Sequence, residues 1–122
     1  MRQCRLPAIT AFVAALVFSL TAMAEGPGRY TITGANTKDK TNYQGTATIT
    51  KSGNSTWHIV EIIGGDTLEG FGVGDGKVIA ASYSTDAGTT LALYIANSDG
   101  SYTGIWADED DKDVNTETLK PQ

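Results

Sequence analysis

From Tyr30 onward apolar and polar residues alternate in short runs, and glycine, asparagine and aspartate separate the runs. A period of two belongs to a strand with one face buried, whereas a helix would repeat its apolar positions every three or four residues. Eight runs are predicted as strands: Arg29–Gly34, Tyr43–Lys51, Thr56–Ile63, Thr67–Gly74, Lys77–Ser84, Thr89–Ala96, Ser101–Ala107 and Val114–Leu119. The pieces between them are turn chemistry: Ser52-Gly53-Asn54, Gly64-Gly65, Asp75-Gly76, Asp86-Ala87-Gly88 and Asn97-Ser98-Asp99-Gly100. Gly-Gly and Asp-Gly reach the positive φ that tight hairpins require. Strands joined this closely are antiparallel neighbours, so the chain reads as an all-β meander.

An even number of such strands lets the last pair with the first, and closure removes the exposed edges. The expected architecture is therefore a small eight-stranded antiparallel up-and-down barrel, with a two-layer β-sandwich as the alternative use of the same strands. Alternation assigns the faces. In Tyr43–Lys51 the odd positions Tyr43, Gly45, Ala47 and Ile49 face inward and the threonines face water. By bulk, Thr89–Ala96 would turn Leu91, Leu93 and Ile95 inward. In Thr56–Ile63 the heavier face holds Trp57, Ile59 and Ile63, and if Trp57 points in, so does Glu61. A short echo, Tyr43-Gln44-Gly45, Leu68-Glu69-Gly70 and Tyr102-Thr103-Gly104, puts glycine where a large side chain from a neighbouring strand can lie across it.

Ahead of this domain, Met1-Arg2-Gln3-Cys4-Arg5 is short and positive, Leu6 to Leu20 is apolar, and Ala22-Met23-Ala24 has the form of a cleavage site. Residues 1–24 read as a secretory signal peptide and 25–122 as a single β-barrel domain, periplasmic or extracellular. The apolar run is shorter than the roughly 20 residues of a membrane-spanning helix. The only cysteine, Cys4, falls within the signal, so the exported part would be stabilised without a disulfide. Loss of Arg2 and Arg5 takes the formal charge from −5 to −7. Such acidity argues against nucleic acid and anionic lipid as partners.

Candidate chemistry is sparse. With His58 the only histidine, a Cys-His nucleophile and the usual zinc sites are excluded for the exported part, and His58 sits in a strand with no nucleophile elbow beside it. Gly70-Phe71-Gly72-Val73-Gly74-Asp75-Gly76 has the glycine density of a phosphate loop but runs through a hairpin, not into a helix. Asp108, Asp110, Asp111 and Asp113 are the candidate ligands for a hard cation such as calcium, against the plainer reading of a solvated turn. The aromatic residues suggest a lumen site, with Trp57, Trp106, Tyr43 and Tyr102 against a flat apolar ligand and Glu61 as the polar contact. The competing reading makes them core, since small barrels fill their own interiors.

Nearly the whole exported chain resembles a group of small secreted bacterial β-barrel proteins of largely uncharacterised function. The resemblance rests on Tyr30 to Gly34, Tyr43-Gln44-Gly45-Thr46-Ala47-Thr48-Ile49, Gly70–Gly76, Leu93-Tyr94, Asp99-Gly100-Ser101-Tyr102-Thr103-Gly104-Ile105-Trp106 and Thr116-Glu117-Thr118-Leu119. Some members carry a fibronectin-binding label, which implies binding without assigning residues. The overall shape is similar to the calycins, which bind small ligands in the lumen.

The expectation is thus a non-enzymatic exported binding or adhesion module without a resident cofactor. Its partner would be a protein, a glycan or, in the calycin manner, a small hydrophobic ligand. A small hydrolase or isomerase would need a carboxyl or His58 with a strongly perturbed pKa in a cleft.

Overall fold

The computed structural model of the protein describes residues 26–122, so the proposed export signal lies outside the described residues. Eight strands follow one another: β1 (Gly28–Asn36), β2 (Thr41–Lys51), β3 (Thr56–Ile63), β4 (Asp66–Gly74), β5 (Val78–Thr85), β6 (Gly88–Ala96), β7 (Tyr102–Asp108) and β8 (Asn115–Pro121). Each pairs antiparallel with the next, and β8 returns to β1 with Ile32 opposite Leu119, closing the barrel. The sandwich alternative is set aside by that last ladder. Among the described residues no helix is long and apolar enough to cross a membrane.

The turns act as their composition predicts. Gly64 and Gly65 both have positive φ, 59° and 90°, and join Ile63 to Asp66 in a two-residue hairpin. This is the mirror-image turn whose twist matches paired strands, and a residue with a Cβ would be strained at both positions. Asp75 braces the β4–β5 turn by accepting from the backbone N–H groups of Lys77 and Val78 at 2.8 and 3.1 Å. The glycine-rich stretch before it is strand and hairpin, as expected.

Ile32, Ile49, Ile59, Ile79 and Leu119 are fully buried and form the aliphatic layer of the core. One end of the barrel is plugged. Tyr30 donates to Gly26 O at 2.6 Å, Trp57 Nε1 donates to Gly74 O at 3.0 Å, and the Tyr102 hydroxyl donates to Gly76 O. Burying these rings removes large apolar surfaces from water while each polar tip keeps a partner, which is the condition for a stabilising buried tyrosine or tryptophan.

Face assignment holds in β2 and β3, where Ala47, Ile49, Trp57, Ile59 and Glu61 are buried. It fails in β6. Leu91 and Ile95 are 63 % and 46 % exposed and Leu93 is half-buried, while Ala92 and Tyr94 point inward. The β5–β6 hairpin pairs Thr85 with Gly88, which sets Ile79 opposite Tyr94 and Ala81 opposite Ala92. Directly opposed residues share a face, so inward Ile79 and Ala81 carry Tyr94 and Ala92 inward with them. Bulk misleads because this strand is apolar on both faces. The outer surface of β4–β7 consequently exposes Phe71, Val73, Val78, Leu91, Ile95 and Ile105.

Candidate ligand-binding site

The opposite end of the barrel is open, and a cavity of about 810 Å³ descends from the mouth into the lumen. Its floor is polar. Glu61 from β3 and Glu117 from β8 each have only 4 % of their surface exposed, and both line the cavity with Tyr43, Tyr83, Tyr94 and Trp106.

Backbone register explains how these groups meet. Across five adjacent strands one level reads Tyr43 (β2), Gly34 (β1), Glu117 (β8), Gly104 (β7) and Tyr94 (β6). Glu117 therefore has glycine on both sides, and a tyrosine lies over each glycine to reach it. A Cβ added at Gly34 would fall 2.0 Å from Tyr43 Cζ, and one at Gly104 would fall 2.9 Å from Tyr94 Cδ1. Tyr83 lies over Gly70 in the same way, at 2.5 Å. The expected role of Gly70 and Gly104 as seats for large neighbours is observed; Gly34, outside the sequence echo, does the same for Tyr43. At Gly45 the close neighbours are the Ile62 carbonyl oxygen, at 2.3 Å, and the aliphatic side chain of Ile63, at 2.8 Å.

The tyrosine hydroxyls grip the carboxyls. Tyr43 donates to Glu117 Oε1 at 2.6 Å and accepts from Trp106 Nε1 at 2.9 Å. Tyr94 Oη lies 3.1 Å from Glu117 Oε2, 3.0 Å from Glu61 Oε2 and 2.7 Å from Tyr83 Oη. Tyr83 Oη also makes a long contact of 3.4 Å with Glu61 Oε2. Each phenol has a single proton to give. If Tyr83 donates to Tyr94 and Tyr94 to Glu117, the contact between Tyr94 and Glu61 needs a proton from the carboxyl itself.

Electrostatics require the same proton. Desolvation first, and the neighbouring Glu117 carboxyl second, push Glu61 up to about 8. Two adjacent carboxyls in a low-dielectric site cannot both ionise cheaply. A proton on Glu61 at neutral pH relieves the repulsion between the carboxyls and completes the contact with Tyr94. Burial and the nearby carboxyls also raise the hydroxyls of Tyr43, Tyr83 and Tyr94 well above the usual phenol range, so they remain donors.

Of the residues expected in the lumen site, Tyr43, Glu61 and Trp106 line the cavity. Trp57 and Tyr102 do not, and this corrects their assignment: both are buried in the plugged end. Trp57 and Glu61 share the inward face of β3 but stand four residues apart, about 13 Å along an extended strand. Tyr83, Tyr94 and Glu117 were not assigned to the site by sequence reasoning. For Glu117 the signal was available, because an inward Leu119 places Glu117 on the same face.

Asp108, Asp110 and Asp111 sit at the cavity mouth, and Asp113 lies outside its lining. Two of these carboxylates hold the turn itself: Asp108 Oδ1 accepts from the Thr90 hydroxyl, and Asp111 Oδ2 accepts from the Asp108 N–H at 2.9 Å and from Asn115 Nδ2 at 3.1 Å. Among the described residues, no group of three or more His, Cys, Asp or Glu side chains is arranged to hold a metal ion.

Compared with protein-family models, curated proteins and solved structures, the chain gives no match.

Proposed function

We propose that this protein is an exported binding module that takes a small ligand into the open end of its barrel. The observation that carries this reading is the contrast between the two ends. One is sealed by aromatic side chains bonded to backbone carbonyls, and the other holds a cavity of about 810 Å³ whose floor is a tyrosine-held carboxyl pair. Such a volume is within the range of small-molecule sites, and an apolar wall with a few convergent polar groups is their usual lining. A purely hydrocarbon ligand suits the site less well than one with a hydrogen-bonding end, because covering the carboxyls without replacing their water is costly. Titration of isotopically labelled protein with a small-molecule fragment set, followed by amide NMR shifts, tests this. Shifts centred on Tyr43, Glu61, Tyr94 and Glu117 are expected; shifts confined to the outer face of β4–β7 would move binding to that surface.

The carboxyl pair favours a second reading, an acid–base catalyst. A protonated carboxyl raised to about 8 beside a second carboxyl in a cavity is a pattern that recurs in active sites. The discriminating test is to recover the bound fragment after long incubation. Unchanged fragment supports a carrier, and a fragment altered by proton transfer or bond cleavage supports the enzyme.

A further inference from the structure

We propose that the ligand of this cavity is an organic ammonium, a protonated amine on a small apolar body, seated against the carboxyls of Glu61 and Glu117. This rests on the reading of the open end as a binding site and specifies what it binds.

The argument starts from a missing countercharge. Among the described residues the ion pair is His58 with Glu69, at 3.9 Å on the outer surface, so neither buried carboxyl meets a lysine or arginine. The groups that do touch the pair are phenol hydroxyls, which donate hydrogen bonds but bring no positive charge. A buried acidic pair held only by neutral donors stays electrostatically unbalanced, and truncating or expelling it is not the only remedy. An incoming cation supplies the missing charge. Anions are disfavoured by the same floor.

Two further features select an amine over other cations. Tyr43 and Trp106, 6.4 Å apart between ring centroids and packed edge to face, stand at the wall beside Glu117, where aromatic surface both covers an apolar body and attracts a cation. An ammonium N–H can also donate to carboxylate oxygens, which strengthens the pairing. At the mouth, Asp66, Asp108, Glu109, Asp110 and Asp111 outnumber Lys38, so the approach is acidic and raises the local concentration of cations.

Binding has a proton consequence. The ligand keeps its ammonium protons, and the proton on Glu61 leaves to the buffer as the cation takes its place. Affinity for an amine should therefore rise with pH until Glu61 is ionised without ligand. The titratable groups facing Glu61 are Tyr43 from β2, Tyr83 from β5, Tyr94 from β6 and Glu117 from β8. On the packed faces of β4 and β7 the cavity wall is Leu68 and Trp106; Asp66 and Asp108 of those strands lie at the mouth, and Glu69 lies on the outer surface.

Calorimetry on the whole domain tests this with n-hexylamine and 2-phenylethylamine against their neutral counterparts, 1-hexanol and 2-phenylethanol. Each is measured near pH 7 in phosphate and in MOPS, whose ionisation heats differ. The amines are expected to bind at least about tenfold more tightly than the alcohols, with a buffer-dependent heat that reports proton release. Glu61→Gln should lose the buffer dependence and weaken the amine preference. The double variant Glu61→Gln/Glu117→Gln should lose the preference while alcohol binding reports that it still folds. Alcohols binding as tightly as amines overturns the ammonium assignment and leaves the cavity as a site; amine binding without proton release in the native protein overturns the displacement of the Glu61 proton. Failure of all four probes also overturns the ammonium assignment, and the fragment titration then decides separately whether the open end binds anything.

Discussion

Replacing Glu61 by glutamine should remove a pH dependence of stability that the native protein has. The carboxyl is pushed up to about 8 in the folded chain, by burial and by Glu117, from the 4.5 usual for a solvated glutamate. Between those values the folded state holds a proton that the unfolded state has released, so stability is fully present below about 4.5 and is lost as pH rises toward 8. The slope for one such group is about 1.4 kcal/mol per pH unit. From pH 5.5 to 7.5 the loss comes to as much as roughly 3 kcal/mol, and a domain of this size loses roughly 4–8 °C of Tm per kcal/mol. The exposed aspartates Asp39, Asp75 and Asp99 do not confuse the measurement. Hydrogen bonds from Thr41, from the backbone of Val78 and Lys77, and from Ser101 lower them below 3.8, so their contribution is lost only as pH falls below that value. Glutamine keeps the shape of the side chain and cannot ionise, so Glu61→Gln should show a flat Tm over this span. Thermal melts followed by circular dichroism at the two pH values, native against variant, give the difference directly. If the two proteins track each other, Glu61 titrates as a solvated carboxyl and the description of the pair is wrong.

Gly34→Ala should force the Tyr43 ring off its seat, since the new Cβ would lie 2.0 Å from Cζ. The cost is about 1–3 kcal/mol for overpacking, with a red shift of tryptophan emission as Trp106 loses its acceptor. Trp57→Ala should cost about 3–5 kcal/mol in urea unfolding and leave fragment binding by the folded fraction unchanged, because Trp57 belongs to the plugged end. Leu91→Lys and Ile95→Lys should each change stability by less than about 0.5 kcal/mol; a large loss for either would mean that β6 is turned the other way.

Much of this barrel was legible in the sequence because hairpin turns are local. Gly64-Gly65 and Asp75-Gly76 declare the turns, and every strand was placed to within two residues of its observed ends. Closure followed from an even strand count. The inward direction of Glu61 also followed locally, from its spacing to Trp57 on the same strand. What failed was a choice that bulk cannot make: β6 is apolar on both faces, and only its pairing with β5 turns Tyr94 inward over Leu91 and Ile95. The carboxyl pair was illegible for a different reason. Glu61 and Glu117 lie on β3 and β8, with β1 and β2 between them, and they meet across the lumen only because the sheet closes and Gly34 and Gly104 let the tyrosines converge.

The most direct test of a ligand site at the open end is native mass spectrometry of the protein, recovered from the cells that make it without refolding and compared with Gly34→Ala. A reproducible additional mass of small-molecule size in the native protein, diminished in the variant, is the expected result. A bare protein mass in both, together with no fragment shifts at Glu61 and Glu117, would contradict it.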